Sequence, residues 1–427
     1  MIEMKDSGIE WVGEIPTHWD IQTLKYQTEK YERGTAPDYT NEIMTKVVNQ
    51  ATFSKGYFDT RNIRYSSKDA KTSRGLLKKG DVLLASTGGG VLGKTHFFNE
   101  DDVYVADSHV TIVRTIDTLL SKYLYYYFSV NYSTFNAVMA EGSTNQTELQ
   151  RDLLGKMPVP FPPIEEQQKI ASFLDDKCTE IDSLISELKK QTETLADYKK
   201  SLITETVTKG LNKNVEMKDS GIEWIGEIPE HWQVKKVKYI GGSARNGLTY
   251  TPQDLCDDGI LVLRSSNIQN GKIYLHNNVY VSCKIKPELM VQKGDILICS
   301  RNGSKELIGK NAIITDNIKA AFGAFMMIFR CNCAKYMYYI LNSDIFSYYL
   351  GTFSTSTINQ LTGANFNNMK IIYCPDIQEQ NEIVSYLDEK CTEIDKIISE
   401  KKQQIKTIEE YKKSLIFEYV TGKKEVN

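Results

Sequence analysis

Apolar residues recur at alternating steps of three and four positions in two long stretches that contain neither glycine nor proline. Such spacing is typical of a helix that buries one seam against another helix. We therefore predict two long helices, over residues 164–208 and 377–420, each of which needs a partner. The first seam consists of Leu174, Cys178, Ile181, Ile185, Leu188, Thr192, Leu195 and Leu202, with Lys199 at the remaining position. The second consists of Leu387, Cys391, Ile394, Ile398, Ile405, Ile408 and Leu415, and Lys401 and Lys412 interrupt it.

The boundaries and the order of these helices favour an antiparallel pair. Pro162-Pro163 and Pro375 stand just before the helices, and Gly210 follows the first of them. At ~1.5 Å per residue, each helix would be about 60 Å long. The obvious partner of each helix is the other. Because the first helix leads from one half of the chain into the other, the second must run back if the halves are related by a pseudo-twofold axis.

The two halves of the chain repeat each other. The segment MKDSGIEWVGEIPTHW at residues 4–19 returns as MKDSGIEWIGEIPEHW at residues 217–232, a displacement of 213 residues. DDKCTEID at residues 175–182 returns at the same displacement as DEKCTEID at residues 388–395. Between these copied ends the match thins to a few anchors, such as KGDVLL against KGDILI. A solenoid repeat spans only roughly 20 to 50 residues, so each unit here is a whole domain with a connecting helix.

Inside each copy the pattern changes to short β-rich runs separated by Gly, Asn and Ser turns. The runs lie at residues 81–85, 103–105 and 110–113 in the first copy and at 259–263 and 295–299 in the second. A tyrosine-rich helical segment follows them, at about 121–140 and about 335–350. We therefore predict an α+β chain in four parts: a first domain over 1–161, a first helix over 162–210, a second domain over 211–374 and a second helix over 375–427.

Composition is that of an ordinary folded protein. At 427 residues the chain is long enough for two domains with sizeable cores. No stretch reaches the roughly eighteen apolar residues of a membrane span, and we expect a cytoplasmic protein. The eight cysteines form no CxxC pair, which favours reduced thiols without a metal. A net charge of −3 gives no overall attraction to phosphate, so any binding of nucleic acid must rest on local patches.

Residues 88–95 match the phosphate-loop pattern GxxxxGK[ST] letter for letter. A nucleotide-binding loop needs a helix that begins at its Lys-Thr, yet the chain continues with HFFNEDD, which predicts a turn. The counterpart at residues 303–311 has one extra residue and lacks the hydroxyl that would bind magnesium. We interpret the segment as a glycine-rich turn whose Lys94 faces solvent or a DNA phosphate, and ATP binding is the alternative.

Other catalytic patterns are incomplete. Pro375-Asp376 and Asp388-Glu389-Lys390 resemble the spaced elements of nucleases, but the second element lies on the predicted helix. The five histidines form no metalloprotease or triad arrangement, and no tetrapeptide typical of an adenine methyltransferase occurs. His109, on an alternating strand, is expected to be a packed or surface residue and not a ligand. We therefore expect no catalytic residue and no metal in this chain.

Polar side chains suited to base edges cluster in the diverged interiors of both copies. Arginine pairs with guanine, and Asn or Gln with adenine, in the major groove. Recognition loops are also where two copies of a reader should differ, although each such residue alone is compatible with an ordinary turn or cap. The candidate DNA-binding residues are Arg33, Thr35, Asn49, Gln50, Lys94, Asn145 and Gln146 in the first copy, and Arg245, Asn246, Arg264, Ser265, Asn267, Arg301, Asn302, Lys310, Asn359 and Gln360 in the second.

Taken together, these segments closely resemble the specificity subunits of type I restriction-modification systems over essentially the whole chain. The resemblance is carried by GIEWVGEIPTHW, by KKGDVLLAS with a following LGK, by the junction PPIEEQ at residues 162–167 and by the repeated helix. The second junction departs slightly and reads PDIQEQ at residues 375–380. A protein-binding scaffold without DNA, built on the same paired domains, is the main alternative.

The resemblance implies two target-recognition domains, one for each half of a split, asymmetric DNA site, held apart by two antiparallel coiled-coil helices that act as a ruler. It also implies a scaffold for two modification subunits, which hold S-adenosylmethionine and methylate adenine, and for two motor-nuclease subunits, which use ATP and magnesium in defence against foreign DNA. These cofactors belong to the partners, and none is expected on this chain. The copied helices and tryptophan segments are the expected docking surface, with Trp11, Trp19, Trp224 and Trp232 as candidate docking residues.

Overall fold

A computed structural model describes residues 3–88, 90–117, 119–141, 147–353 and 360–426. The chain divides into two compact units. Unit 1 comprises Met1–Leu188 and Gln403–Asn427, and unit 2 comprises Lys189–Lys402. Each unit therefore contains one globular region together with a part of each long helix.

The described residues of unit 1 begin with a hairpin and continue into two four-stranded and two two-stranded sheets, four short helices and the first long helix. Its strands are β1 (Met4–Ile9), β2 (Gly13–Pro16), β3 (Asp20–Thr23), β4 (Thr28–Arg33), β5 (Tyr39–Thr40), β6 (Thr45–Val48), β7 (Arg64–Ser66), β8 (Val82–Ala85), β9 (Thr95–Phe97), β10 (Tyr104–Ala106), β11 (Val110–Thr115), β12 (Ala140–Glu141), β13 (Glu148–Leu149) and β14 (Pro158–Phe161). Its helices are α1 (Gln50–Phe53), α2 (Ser121–Val130), α3 (Tyr132–Val138), α4 (Arg151–Gly155) and α5 (Ile164–Lys209), which continues into unit 2.

Unit 2 follows the same order of main elements, with a two-stranded hairpin at residues 268–273 in the place of α1 and no counterpart of β12 and β13 in the described part of the chain. Its strands are β15 (Met217–Asp219), β16 (Glu227–Pro229), β17 (Gln233–Lys236), β18 (Ser243–Asn246), β19 (Leu255–Cys256), β20 (Ile260–Leu263), β21 (Ile268–Gln269), β22 (Lys272–Ile273), β23 (Tyr280–Val281), β24 (Ile296–Cys299), β25 (Asn311–Ile313), β26 (Ala320–Phe322), β27 (Met326–Arg330) and β28 (Lys370–Tyr373). Its helices are α6 (Ala334–Ile340), α7 (Asp344–Phe353), α8 (Gly363–Asn368) and α9 (Ile377–Val420), whose end belongs to unit 1.

The two units build their main sheets with the same topology. In unit 1 an antiparallel sheet has the order β4-β11-β8-β9, and in unit 2 the order is β18-β27-β24-β25. The second sheet of unit 1 has the order β10-β6-β7-β5, with β10 parallel to β6. Its counterpart in unit 2 has the order β26-β20-β23-β19, with β26 parallel to β20. Strand registers can therefore be matched position by position between the units.

The central strands are apolar without alternation because both of their faces are buried. Val82 and Leu84 of β8 pack into the core that contains α2 and the long helices, whereas Leu83 packs on the second sheet. β24 divides its side chains in the same way between two cores of unit 2. The continuous runs predicted at residues 81–85 and 295–299 are thus confirmed as strands.

A buried ion pair explains why the KGD motif occurs in both copies. The Asp81 carboxylate accepts two hydrogen bonds from the Arg114 guanidinium, at 2.7 and 2.8 Å, and one from the backbone N–H of Lys78. Asp295 and Arg330 repeat this arrangement in unit 2 at 2.6 and 2.7 Å. Asp81 and Asp295 are each about 1% exposed, and a buried carboxylate requires such a partner.

The start of each long helix is fastened to the copied tryptophan segment of its unit. In unit 1 the carboxylate of Glu166 accepts a hydrogen bond from the Trp19 indole at 2.8 Å and lies 2.9 Å from His18 Nε2. In unit 2 Glu379 contacts Trp232 and His231 at 3.1 and 2.9 Å. The repeated His-Trp pair at the end of GEIPxHW and the glutamate of the junction therefore form one hydrogen-bonded contact in each unit.

Within each unit, residues of α5 contact residues of α9. In unit 1, Ile185 and Leu188 pack against Ile405, while Lys412 Nζ donates to Asp182 at 2.6 and 2.7 Å. In unit 2, Lys199 Nζ donates to Asp395 at 2.7 Å, and Lys401 Nζ donates to Gln191 Oε1 at 2.6 Å. The predicted helices at 164–208 and 377–420 are confirmed, the first with one additional residue.

Candidate nucleic-acid interface

Most of the polar residues predicted to read DNA in unit 2 lie where strands of its two sheets end. Gly247 follows β18, and a Cβ there would overlap the carbonyl oxygen of Gly323 in the turn between β26 and β27. The backbone N–H of Gly323 in turn donates to Leu263 O at 3.0 Å, at the end of β20. These contacts bring three strand ends together. We name the surface there the unit 2 edge, formed by Asn246, Arg264, Ser265, Arg301, Asn302, Lys310, Phe325 and Gln360.

Ser265 is the point where several side chains of this edge meet. Asn302 Nδ2 donates to Ser265 Oγ at 3.4 Å, and Lys310 Nζ lies 3.5 Å from the Ser265 carbonyl oxygen. The neighbouring Arg264 donates from Nη2 to the Asn277 carbonyl at 3.0 Å. The edge therefore carries two cations, Arg264 and Lys310, beside the amide and hydroxyl groups at Ser265, a combination that can bind phosphate oxygens and base acceptors.

Arg301 and Phe325 form an exposed pair at the centre of the edge. The Arg301 guanidinium lies over the Phe325 ring at 5.3 Å from its centroid, and 59% of Phe325 is exposed. The backbone N–H groups of Ser300 and Arg301 donate to the Phe325 carbonyl at 3.0 and 3.1 Å, and Arg301 forms a β-bridge with Gln360. Sequence reasoning selected Arg301 and Gln360 but missed Phe325, because a single phenylalanine in a turn carries no signal of its own.

Two further candidates of unit 2 have different surroundings. Asn267 is fully buried, and its amide donates to the carbonyl of Tyr274 at 3.1 Å while its oxygen accepts from Arg264 N at 2.9 Å. It shapes the turn that presents Arg264, and in this conformation its side chain has no surface with which to reach a base. Arg245, in contrast, is exposed on the outermost strand of its sheet.

Unit 1 brings a chain of hydrogen-bonded side chains to the corresponding place. Gln50 Nε2 donates to Thr87 Oγ1 at 2.6 Å, and Thr87 Oγ1 lies 2.9 Å from His109 Nδ1. Arg33 reaches the same region but is paired with Glu148 at 3.2 Å. His109 is thus a surface residue within a polar array. We name this surface the unit 1 edge, formed by Arg33, Thr35, Asn49, Gln50, Thr87, Lys94, His109 and Glu148.

The remaining candidates of unit 1 have internal partners as well. Thr35 Oγ1 lies 3.0 Å from the hydroxyl of Ser73, and Lys94 Nζ donates to the Ser54 carbonyl at 2.7 Å. Asn49 caps α1 and donates from Nδ2 to the Asn62 carbonyl at 2.8 Å. Each of these residues is half-buried, so it holds the edge in shape while part of its side chain remains accessible.

Strand registers match the two edges residue by residue. Thr111 pairs with both Arg33 and Leu84, as Met327 pairs with both Asn246 and Ile298, so position 33 corresponds to 246 and position 87 to 301. The parallel pairs Val48–Ala106 and Leu263–Phe322 likewise equate residues 49 and 50 with 264 and 265. Three further pairs follow: Lys94 with Lys310, His109 with Phe325, and Glu148 with Gln360.

Each edge holds a buried polar atom that makes no hydrogen bond with any described residue. These atoms are Gln50 Oε1 in unit 1 and Arg264 Nε in unit 2, at adjacent positions of the matched turn. An unsatisfied buried polar atom costs about 1–3 kcal/mol, which proteins rarely tolerate without a function. Both atoms lie in the same matched turn of the two units, whereas Trp11 Nε1 and His96 Nε2, which also lack a partner among the described residues, lie elsewhere.

Burial raises the pKa of one acid beneath the unit 1 edge. Asp107 is 3% exposed, and the loss of solvent raises the pKa of its carboxyl against opposing hydrogen bonds from the His109 N–H and the Tyr39 hydroxyl. In unit 2 burial similarly raises the pKa of the Cys299 thiol, which stays protonated at neutral pH.

Three predicted residues, Asn145, Gln146 and Asn359, lie outside the described residues. The tryptophans expected at a docking surface divide into two groups. Trp19 and Trp232 are 2% and 0% exposed inside their own units, where they bond to the long helices, so their side chains cannot form a direct docking contact in this conformation. Trp224 is 37% exposed and packs on Tyr348 at 4.7 Å, and Trp11 is half-buried against its core.

The two catalytic look-alikes fail on geometry. After residue 93 the phosphate-loop match runs into β9, so Lys94 and Thr95 stand at the start of a strand and offer no helix N-terminus to a phosphate. Asp388, from the nuclease-like pattern, lies on α9 and accepts from Tyr339 at 2.6 Å and Lys335 at 2.8 Å. In the described part of the chain, no cluster of His, Cys, Asp and Glu is arranged for a metal, and no helix is long and apolar enough to span a membrane.

Comparison with known proteins identifies the family to which this chain belongs. The family model described as "Type I restriction modification DNA specificity domain" matches residues 12–194 and again residues 229–407. The chain therefore belongs to the family of type I restriction-modification DNA specificity subunits. That family supplies the DNA-recognition component of such systems and not a catalytic one.

Three proteins illustrate the similarity. The chain is 26% identical to the putative type I restriction enzyme MjaX specificity subunit of Methanocaldococcus jannaschii, over 96% of this chain and 95% of that protein. It is 27% identical to the MjaVIII specificity subunit of the same organism, over 70% of both chains. A solved structure, from work on complex assembly and conformational transition of the type I R-M system, aligns over 96% of this chain and 99% of its own with a TM-score of 0.69. At 14% identity, that structure supports the fold alone.

Proposed function

We propose that this chain recognises a bipartite, asymmetric DNA site, with unit 1 reading one half and unit 2 the other. The observation that carries the proposal is the match between the two edges: one strand framework holds different polar side chains at equivalent positions. Thr87 corresponds to Arg301, Gln50 to Ser265 and His109 to Phe325. Two identical readers would select a palindrome, and two different readers select an asymmetric site.

The two long helices form an antiparallel coiled-coil pair in this proposal and set the number of unread base pairs between the half-sites. The contacts inside each unit support antiparallel packing, because α5 residues of rising number meet α9 residues of falling number. The ion pair Lys412–Asp182 and the ion pair Lys199–Asp395 are copies of each other, since 199 and 412, like 182 and 395, differ by the repeat displacement of 213. α5 alone has 46 residues, which corresponds to about 69 Å.

The chain also serves as a scaffold for two modification subunits and two motor-nuclease subunits. S-adenosylmethionine, ATP and magnesium are cofactors of those partners, and the action on cellular DNA is cytoplasmic. The repeated segments offer two equivalent surfaces to one type of partner. Since Trp19 and Trp232 are buried, docking uses the exposed faces of the helices and the accessible parts of Trp11 and Trp224.

A binding selection tests the proposal. The purified full chain is incubated with a pool of duplexes that carry random sequence, and the bound fraction is sequenced. We expect one motif with two defined halves and an unread spacer, and the two halves should differ. Selection of no motif, or of a single contiguous one, contradicts the proposal.

A further inference from the structure

The two edges differ in charge at four matched positions, and at one of them, Thr87 against Arg301, unit 2 adds an exposed guanidinium, which points to what unit 2 reads. Building on the proposed function, we infer that Arg301, supported by the Phe325 ring, recognises a guanine in the half-site of unit 2. At the equivalent position of unit 1, Thr87 is neutral, and the half-site read by unit 1 has no guanine contact there. The inference thus assigns a base to one residue of one unit.

The surroundings of Arg301 suit a base-reading guanidinium. Arg301 is exposed, and among the described residues no carboxylate forms an ion pair with its guanidinium. The ring beneath the guanidinium, with its centroid 5.3 Å away, restricts its tilt, and the backbone is fixed on both sides by the Phe325 carbonyl and the Gln360 bridge. A planar guanidinium held in this way presents two parallel N–H groups, which match the O6 and N7 acceptors of guanine.

A contact to the DNA backbone is the competing role for an exposed arginine. Every sequence offers phosphates, so two readers of one origin need backbone contacts at the same places. Lys94 and Lys310 meet this condition, because both units keep a lysine at this matched position. Arg301 does not meet it, since unit 1 has Thr87 there. A position at which one unit alone carries an exposed arginine is suited to the sequence-dependent contact.

Unit 1 fills the same space with neutral groups. Thr87 accepts a hydrogen bond from the Gln50 amide at 2.6 Å and lies 2.9 Å from His109 Nδ1. The nearest guanidinium, that of Arg33, is paired with Glu148 and bonded to the Leu149 carbonyl at 3.3 Å. A free arginine fork is therefore a property of the unit 2 edge alone among the described residues of the two edges.

The test combines the binding selection with four variants of the full chain. Arg301→Ala should abolish the preference for guanine at one position of one half-site, a loss of roughly 5- to 150-fold in discrimination. Arg301→Lys, which keeps the charge but not the fork, should also lose most of the preference. Lys286→Ala removes an exposed cation elsewhere in unit 2 and should change no position. Thr87→Ala should affect only the other half-site, which assigns each half to its unit.

The outcomes separate this inference from the function on which it rests. If wild type selects a bipartite motif but Arg301→Ala weakens binding equally for all sequences and lowers the salt slope by about one, Arg301 contacts phosphate and the inference is wrong. A loss of preference at a base pair without guanine overturns it as well. If wild type selects no bipartite motif, the proposed function itself fails. Equal unfolding midpoints of wild type and Arg301→Ala confirm that folding is unchanged.

Discussion

Single residues decide which side chains of these loops are available for DNA and which hold the loops together. Asn267 is the clearest holding residue, because its buried amide spans the turn from Arg264 to the carbonyls of Tyr274 and His276. Alanine at this position would leave those groups without partners. We expect Asn267→Ala to destabilise unit 2 by about 1–3 kcal/mol.

Chemical denaturation followed by a probe in unit 2 measures this effect. The matched control is Ser266→Ala, one residue away and exposed, which should stay within about 0.5 kcal/mol of wild type. Asn267→Ala should also weaken DNA binding, because the turn that presents Arg264 loses its buried hydrogen bonds. An unchanged unfolding midpoint for Asn267→Ala contradicts the role given to this amide.

His96 makes the stability of unit 1 depend on pH. It stacks on Phe53 and Phe58, and burial, aided by the charge of Lys122, lowers its pKa from 6.5 to about 4. Between these values the unfolded chain binds a proton that the folded unit excludes. Stability therefore falls as the pH is lowered from 6.5 towards 4, by at most about 1.4 kcal/mol per pH unit from this residue.

Unfolding at pH 7 and at pH 5 measures this dependence in wild type and in His96→Leu. The acidic residues contribute equally to both proteins, so the difference isolates the histidine. We expect the variant to lose on the order of 2 kcal/mol less than wild type between the two pH values. Equal losses in the two proteins are incompatible with a neutral, buried His96.

The sequence identified the chemical type of the edge residues more reliably than their burial. Arg301, Gln50 and Lys94 were selected as polar loop residues, and each lies at an edge. Asn267 was selected on the same grounds but is buried. The side-chain amide of an asparagine suits two roles: it forms hydrogen bonds with the backbone of its own turn, or it reads a base from the surface. Only the path of the surrounding chain decides between these roles.

Among the elements, the two long helices are the ones to which we assign the spacing function, and paired charges on their surfaces favour one alignment in this proposal. Lys412 with Asp182, and Lys199 with Asp395, are partly exposed, with the carboxylate side chains 60% and 53% accessible. Such pairs contribute little energy but favour one register. We expect a double-mutant cycle between Lys412→Ala and Asp182→Ala to give a coupling of about 0.2–1 kcal/mol.

Raising the salt concentration should reduce this coupling. The control cycle combines Asp182→Ala with Lys199→Ala, two residues on the same helix several turns apart, and should give no coupling. A coupling as large in the control as in the proposed pair would contradict the alignment of the helices.

Helices and strands were predictable from the sequence wherever a helical spacing of apolar residues or an uninterrupted apolar run indicated them. The helix bounds followed within one residue, because 44 or more residues without glycine or proline leave little choice. The strand β9 was not predicted, and the glycine-rich turn before it imitates a phosphate loop. A sequence motif records only which residue types stand together. Whether a helix or a strand follows the glycine-rich turn depends on whether the next residues pair with a strand of the sheet, as β9 does with β8.

For the whole molecule, the proposed ruler can be tested by its length. Insertion of one heptad at equivalent positions of both helices adds ~10.5 Å, comparable with about three base pairs at ~3.4 Å each. We expect the unread spacer to lengthen while both half-site sequences persist. The control inserts seven residues between α5 and β15, where the spacer should keep its length. An unchanged spacer after the helix insertion contradicts the ruler.

The proposal of two readers in one chain follows from the sequence, since the repeat of 213 residues is visible without a structure. The matching of Thr87 with Arg301 did not follow, because the interiors differ by insertions and only the strand registers align them. The position of each base along the half-site depends on how the duplex lies against the edge, and the amino-acid sequence does not encode the alignment between the residues of the edge and the base pairs.

The most direct measurement maps methylated adenines across the genome of cells that carry the complete system with this chain. It compares wild type with a chain in which residues 233–374 are replaced by the equivalent interior of another specificity subunit. If each unit reads one half-site, the methylated motif changes in one half only, and the other half and the spacer remain as in wild type. A motif altered in both halves, or unaltered in either, contradicts the central claim that two independent readers share this chain.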